Sequence, residues 1–278
     1  MNTARKLSQD EIELSKETYA LFAGLMYQLA GVNLPLNSKN EALIKNRLIR
    51  VLRAYQFESY EEYWKYLKNG SDSVKQEFIS ALTTNMTSFF RENSHFEWLR
   101  KHLKAHFEKL YSLRIWCSAS STGQEPYTIA ICVYETLTES QRAHVKILAS
   151  DIDLEVLKKA SLGYYTENEM SGLTKEQVLK FFDRLNQQGE TLYRVKDFLR
   201  NMVQFSQFNL MSEKYEFKRP FDVIFCRNVL IYFDEKTVKG VIEKLSQSLN
   251  KDGFLLLGHS ESGNIKNENL KALSKAIY

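Results

Sequence analysis

Apolar positions recur at helical spacing in three early stretches, Tyr19 to Leu29, Ala42 to Leu52 and, more weakly, Tyr60 to Leu67, which predicts an all-helical start to the chain. The turn-forming run Asn69-Gly70-Ser71-Asp72 interrupts that pattern and suggests a boundary near residue 75, hence domains 1–75 and 76–278. A charged amphipathic helix is expected over Ser94 to Tyr111, and beyond it the period changes. Short apolar runs from Arg114 to Cys117, Val145 to Ser150, Phe221 to Cys226 and Phe254 to Leu257 then alternate with helical patterns, one of which carries Val238, Val241, Ile242, Leu245 and Leu249 on a single face. The last run follows Asn250-Lys251-Asp252-Gly253, a turn signal. Such alternation predicts an α/β domain with a mostly parallel sheet. It lapses between about 163 and 208, where a helix from Lys175 to Leu185 and two β-prone runs, Thr191 to Val195 and Asn201 to Phe205, predict a small antiparallel insertion. There is no internal repeat.

The most informative junction lies between Arg114 and Tyr127, where an apolar strand enters the small-residue loop Ser118-Ala119-Ser120-Ser121-Thr122-Gly123 and then a helix with Pro126 in its first turn. A loop at the carboxyl end of a parallel strand faces the crevice where α/β sheets bind ligands, and the helix start adds free backbone N–H groups. The loop lacks G-x-G-x-x-G, which rules out a plain dinucleotide fingerprint. The second strand ends in Asp151-Ile152-Asp153, an acid placed as ribose recognition requires. Asp153, one side-chain period on, reads as a helix cap. The third strand runs into Arg227-Asn228, polar residues at a tip facing the same crevice.

Composition narrows the class. With 278 residues and 44% hydrophobic content the chain can bury a full core. No apolar run approaches the roughly 18 residues of a membrane span, and no apolar signal core follows Met1, so a cytoplasmic protein is expected. Cys117, Cys132 and Cys226 lack C-x-x-C spacing and read as buried reduced thiols, and the scattered histidines suggest no metal site. The formal charge of +4 invites a nucleic-acid reading, but among residues 1–80 the basic side chains exceed the acidic by only one. One local stripe stands out: on a helix from Lys39 to Ala54, Lys39, Arg47, Arg50 and Arg53 span an arc of about 120° opposite Ile44, Leu48, Val51 and Leu52.

Four segments carry a resemblance: Thr83-Thr84-Asn85-Met86-Thr87-Ser88-Phe89-Phe90-Arg91, Ser118 through Tyr127, Ala149-Ser150-Asp151-Ile152-Asp153, and Phe225-Cys226-Arg227-Asn228-Val229-Leu230-Ile231-Tyr232-Phe233, with Gly258-His259-Ser260-Glu261 near the end. In this order, over nearly the whole chain, they resemble the chemotaxis receptor methyltransferase (CheR) family, which moves methyl from S-adenosylmethionine to glutamate side chains of bacterial chemoreceptors. The resemblance implies a Rossmann-like methyltransferase sheet with a small antiparallel β insertion, preceded by a helical receptor-recognition domain. It implies S-adenosylmethionine as cofactor and S-adenosylhomocysteine as product, with no metal. Asn85, Thr87, Arg91, Glu125, Asp151, Asn209, Leu210, Arg227 and Asn228 match cofactor-binding positions, and Arg91 and Tyr232 suit the positioning of a substrate carboxylate. Each has a plainer reading beside it: capping or a turn for Asn85 and Thr87, an ion pair with Glu92 or Glu97 for Arg91, a helix-dipole charge for Glu125, core packing for Leu210, and a structural ion pair for Arg227.

The implied chemistry is in-line attack of a glutamate oxygen on the sulfonium methyl. No general base is required, because a carboxylate of ordinary pKa about 4.3 is already ionised at neutral pH. The basic stripe becomes a candidate surface for an acidic receptor helix. Some relatives dock a receptor's carboxyl-terminal tethering peptide through a glycine-rich loop in the insertion. Here Leu185 to Thr191 holds one glycine, so independence of that peptide is expected. The working unit is expected to be a monomer that binds no nucleic acid. Two further readings stay open: another S-adenosylmethionine enzyme acting on a small molecule or nucleic acid, and a non-catalytic cofactor sensor, against which Arg91 and Tyr232 argue.

Overall fold

The structure, a computed structural model, describes residues 12–108, 112–187, 189–264, 267–268 and 270–278. It divides into two compact units, Met1–Thr84 and Asn85–Tyr278.

The first unit contains α1 (Lys16–Ala30), α2 (Ser38–Tyr55), α3 (Tyr60–Lys68) and α4 (Asp72–Leu82). Ser15, Asn37 and Ser59 cap the first three, each side chain accepting a backbone N–H of the first turn. Their apolar faces meet around the fully buried Phe22, whose ring lies 5.8 to 6.4 Å from those of Tyr60, Tyr63 and Phe78. Because α4 packs on α1 and α2, the run Asn69 to Asp72 is a helix–helix connection, and the unit extends past residue 75 to Thr84.

In the second unit, α5 (Ser94–Phe107) precedes β1 (Leu113–Cys117); residues 109–111 of the predicted helix lie outside the described residues. The chain continues through α6 (Gln124–Thr136), the single-turn α7 (Glu139–Arg142), β2 (Val145–Asp151), α8 (Leu154–Leu162) and β3 (Tyr164–Thr166). Then come α9 (Lys175–Phe181), β4 (Phe182–Gln187), β5 (Glu190–Val195), the short α10 (Asp197–Arg200), β6 (Val203–Gln207), β7 (Phe221–Cys226), α11 (Glu235–Gln247) and β8 (Leu249–Leu257). Among the described residues a parallel sheet has the order β6-β2-β1-β7-β8, and a separate antiparallel sheet the order β3-β5-β4. α6 is buried nearly all round, from Tyr127 to Val133, because α5 and α10 cover the sides that the sheet does not. The chain winds outward from β1 through β2 to β6 and then returns to place β7 on β1's other side, so the order reverses between β1 and β7. That reversal opens the ligand crevice at the strands' carboxyl ends.

Three sequence expectations need correction. The run Asn201 to Phe205 does not join the antiparallel insertion: β6 pairs parallel with β2, Ile147 opposite Val203, as an edge of the main sheet. The helix expected to reach Leu185 stops at Phe181, because the next residues pair with β5, Phe182 opposite Val195. Asn250 to Gly253 forms no turn between elements but a bulge within β8, whose partners jump from Phe221–Leu249 to Val223–Phe254. At the chain's end Leu255 exchanges backbone hydrogen bonds with Tyr278 at 2.9 and 3.0 Å and Leu257 N–H donates to the Ala276 carbonyl at 2.9 Å, adding an antiparallel rim to β8. No described helix is long and apolar enough to cross a membrane.

Candidate active site

The loop leaving β1 is stitched to both neighbouring strands. Ser118 donates its N–H and its hydroxyl to the Phe225 carbonyl of β7, and Ser120 N–H donates to the Ser150 carbonyl of β2. Ser121, at φ 48°, and Gly123, at φ 99°, then swing the chain into α6. A Cβ on Gly123 would lie 2.7 Å from the Tyr165 hydroxyl and 3.0 Å from the Ala160 Cβ, so both the conformation and the space demand glycine. The Tyr165 hydroxyl donates to the Thr122 carbonyl at 2.8 Å. No side chain caps the start of α6 at Gly123, which leaves its first amides for a ligand. The Ser120 hydroxyl is buried without a hydrogen-bond partner among the described residues.

Asp151 stands where expected, at the tip of β2. Its Oδ2 accepts the Ser121 N–H at 2.8 Å and its Oδ1 the Asp153 N–H at 3.1 Å. Burial pushes its pKa up to about 6, against the opposing pull of those amides. Asp153 caps α8, accepting from Glu155 and Val156 N–H, and takes a further bond from Asn85 Nδ2 at 2.9 Å. Ser121 Oγ donates to the Asn85 carbonyl at 3.0 Å. Asn85 is therefore brought beside the β1 loop and the β2 tip, the two places a nucleoside's ribose and its neighbours contact in such sheets.

A second polar cluster lies at the tip of β7. Arg227, its side chain fully enclosed, is ion-paired to Glu125 through Nη1 and to Glu92 through Nη2 at 3.1 Å, and it donates to the Arg91 carbonyl at 2.5 Å. Glu125 also accepts the Cys117 thiol at 3.2 Å. These ion pairs match the structural reading of Arg227 that stood beside its cofactor-binding one, and its Nε is buried without a partner among the described residues. Arg91, half-buried, donates Nη1 to the Met86 carbonyl at 2.8 Å and makes no ion pair with Glu92, whose carboxylate turns to Arg227. Burial alone would raise the Glu92 pKa, but the Arg227 charge and the donors of Asn228 and His259 bring it below the usual range. Asn228, at φ 57°, donates its N–H to Glu261 Oε2 at 2.7 Å. Glu261 also accepts from Gly258 N–H and Ile231 N–H, so it fixes the short 3₁₀ turn Leu230–Tyr232 that carries Tyr232. Burial raises the Glu261 pKa despite those amides.

The remaining candidates fall as follows. Thr87 lies half-buried between Met86 and Arg91. Asn209 follows β6 and accepts the Met211 N–H at 2.9 Å, a turn-forming contact, while Leu210 is 6% exposed and belongs to the apolar cluster around Trp116, Ile224 and Leu255. In the first unit Lys39, Arg50 and Arg53 are exposed, but Arg47 is not part of an outward stripe. Its guanidinium donates to the carbonyls of Leu82 and Thr83 and to the Thr84 hydroxyl, closing the end of α4. A helical wheel gives the direction of its Cβ, not the reach of a long side chain toward another helix's open carbonyls. The sequence named Glu92 only as a possible ion-pair partner of Arg91 and Glu261 only as part of a matching segment, with no place in the site for either; an acid beside the candidate arginine and another two residues after His259 were the available signals. Glu92, His95 and His259 place ligand-type atoms within 4.8 Å of one another. Arg227, however, already sits on the Glu92 carboxylate, and its positive charge opposes a cation there.

This crevice, with an acid at the β2 tip and open amides at α6, fits the nucleoside of S-adenosylmethionine, and the chain is an S-adenosylmethionine-dependent methyltransferase. Residues 85–278 match the family model described as the CheR methyltransferase SAM binding domain, and residues 17–83 match the CheR methyltransferase all-alpha domain. The chain belongs to the CheR methyltransferase family. It is 38% identical to the chemotaxis protein methyltransferase of Borreliella burgdorferi, covering 100% of this chain and 99% of that one. It is 40% identical to that of Salmonella typhimurium, over 90% and 85% of the two chains, and 39% identical to that of Escherichia coli, over 91% and 87%.

Proposed function

We propose that this protein methylates glutamate side chains of chemoreceptor cytoplasmic helices, working in the cytoplasm as a monomer. Bound S-adenosylmethionine supplies an electrophilic methyl group. Asp151 accepts from the ribose hydroxyls, with Asn85, Thr87, Asn209 and the main chain of Arg227 and Asn228 around the rest of the molecule, and Leu210 and Glu125 act from behind as packing and charge support. Arg91 grips one oxygen of the incoming carboxylate and offsets its desolvation, while the Tyr232 hydroxyl donates a hydrogen bond that orients it. Because that carboxylate arrives ionised, no residue has to remove a proton, and the protein's task is alignment in a site closed to water. Met86 and Ile231, 80% and 53% exposed, offer apolar contacts beside Arg91 and Tyr232 for residues flanking the glutamate. Lys39, Arg50 and Arg53 steer the acidic receptor helix.

The observation that carries this reading is the hydrogen bond from Arg227 at the β7 tip to the Arg91 carbonyl, which ties the main chain of Arg91 to the carboxyl end of β7. Independence of a tethering peptide rests on the β4–β5 hairpin: Gln187 pairs with Glu190, so the connection between the strands leaves no room for a glycine-rich loop. The test is transfer of labelled methyl to receptor-bearing membranes. Wild-type protein should give label released by mild alkali, Arg91→Ala should lose at least a hundredfold of it, and receptors lacking their carboxyl-terminal peptide should be labelled equally. Alkali-stable label would move the substrate to another class, and strong dependence on the peptide would remove the claim of independence.

A further inference from the structure

Glu92 gathers donors from segments far apart in sequence. Its Oε2 accepts from Arg227 Nη2 and from His259 N–H, each at 3.1 Å, and its Oε1 from Asn228 Nδ2 at 3.2 Å. The backbone around it is unusual. Phe90, at φ 54°, and Glu92, at φ 56°, both occupy the left-handed region, so Arg91 is presented between two residues in a conformation that side-chain-bearing residues keep only when their surroundings impose it. Phe90 N–H is tied to the Thr128 hydroxyl of α6 at 3.2 Å, and Arg227 holds the Arg91 carbonyl. Asn228, at φ 57°, is a third such residue, gripped through its N–H by Glu261 and through its side chain by Glu92. The packing leaves no slack: a Cβ on Gly258 would lie 2.5 Å from Glu261 Oε2 and 2.6 Å from Asn228 Nδ2.

We propose that Glu92 is a positioning residue for methyl transfer: its carboxylate locks the left-handed turn that presents Arg91 and fixes the side chain of Asn228, without itself touching cofactor or substrate. This rests on the roles given above to Arg91 and Asn228. A carboxylate is required because three donors, one of them a full cation, converge on its two oxygens. An amide offers one acceptor oxygen and turns an NH₂ group toward the other donors.

The experiment uses the full chain, with kcat and receptor KM from the methyl-transfer assay and S-adenosylhomocysteine affinity from calorimetry. Glu92→Gln should lower kcat by about tenfold or more, as sub-ångström misplacement of a reacting group does, with receptor KM changed less than about threefold. In an Arg91→Ala background the same change should cost less than about twofold further, because the two residues act as one unit. Wild-type kcat in Glu92→Gln, or a loss that stays fully additive with Arg91→Ala, overturns the proposal. Should Arg91→Ala itself turn over normally, the role given to Arg91 fails separately. Glu92 is then judged on Asn228: weakened S-adenosylhomocysteine binding in Glu92→Gln supports positioning and unchanged binding overturns it. If melting shows that Glu92→Gln does not fold, Glu92→Asp, which keeps the charge but cannot span all three donors, takes its place under the same criteria.

Discussion

At the scale of single residues, Asp151 links folding to ligand binding through one proton. Burial raises its pKa to about 6 from 3.8, so the folded chain holds the proton more tightly than the unfolded chain does. Its contribution to stability is therefore full below the unfolded value and is lost as pH rises through about 6. On the proposed reading, ribose hydroxyls donate to the ionised carboxylate and reverse the preference, so that binding expels the proton. S-adenosylhomocysteine should bind about tenfold more tightly at pH 7 than at pH 5, with little change above, and Asp151→Asn should lose both affinity and slope. Calorimetry at several pH values checks this, and a flat profile would remove Asp151 from the ribose contact. The place of Asp151 at a strand tip was legible in sequence because the apolar run from Val145 ends there. Glu92 was not, because its meaning depends on Arg227 and His259, which only the folded sheet brings to it.

At the scale of elements, the basic face of α2 separates two roles that the sequence merged. Arg47 satisfies open carbonyls at the end of α4, so Arg47→Ala should destabilise the first unit by about 1–3 kcal/mol, read by chemical denaturation. Arg50 is exposed, and Arg50→Glu should leave stability within about 0.5 kcal/mol while slowing receptor methylation, most clearly at low salt. Equal stability losses for both would return Arg47 to the surface stripe. The strands β1 and β7 were legible because both of their faces are largely buried, and β2 because it is an apolar run broken only by the exposed Lys146. β6 was not assigned to its sheet, since a run such as Val203 to Phe205 carries no mark of its partner. The end of α9 was missed for a similar reason: Phe181-Phe182 fits either a helix or a strand until β5 supplies the pairing.

At the scale of the whole molecule, the two units each carry their own core, and the ligand chemistry assigned here belongs to the second. Saturating S-adenosylhomocysteine at a hundred times its Kd should stabilise that unit by about 2.7 kcal/mol. Hydrogen exchange of core amides in β1 and α6 is the direct readout, and unchanged protection would mean that the ligand does not select the folded crevice. The fold class was legible because alternation of strands and helices and the junction at Cys117 to Pro126 agree with each other. The boundary was not, because Asn69 to Asp72 has the composition of a linker while α4 beyond it shares the first unit's core.

The Tyr165 hydroxyl, reaching from β3 to the Thr122 carbonyl, makes the small sheet a buttress of the cofactor loop. For anyone redesigning this enzyme, that divides the insertion into a free part and a fixed part. The β4–β5 hairpin tip can be lengthened or exchanged for a foreign binding loop. The register of β3 cannot move by even one residue, because the slip would turn Tyr165 to the opposite face and leave Gly123 without its brace.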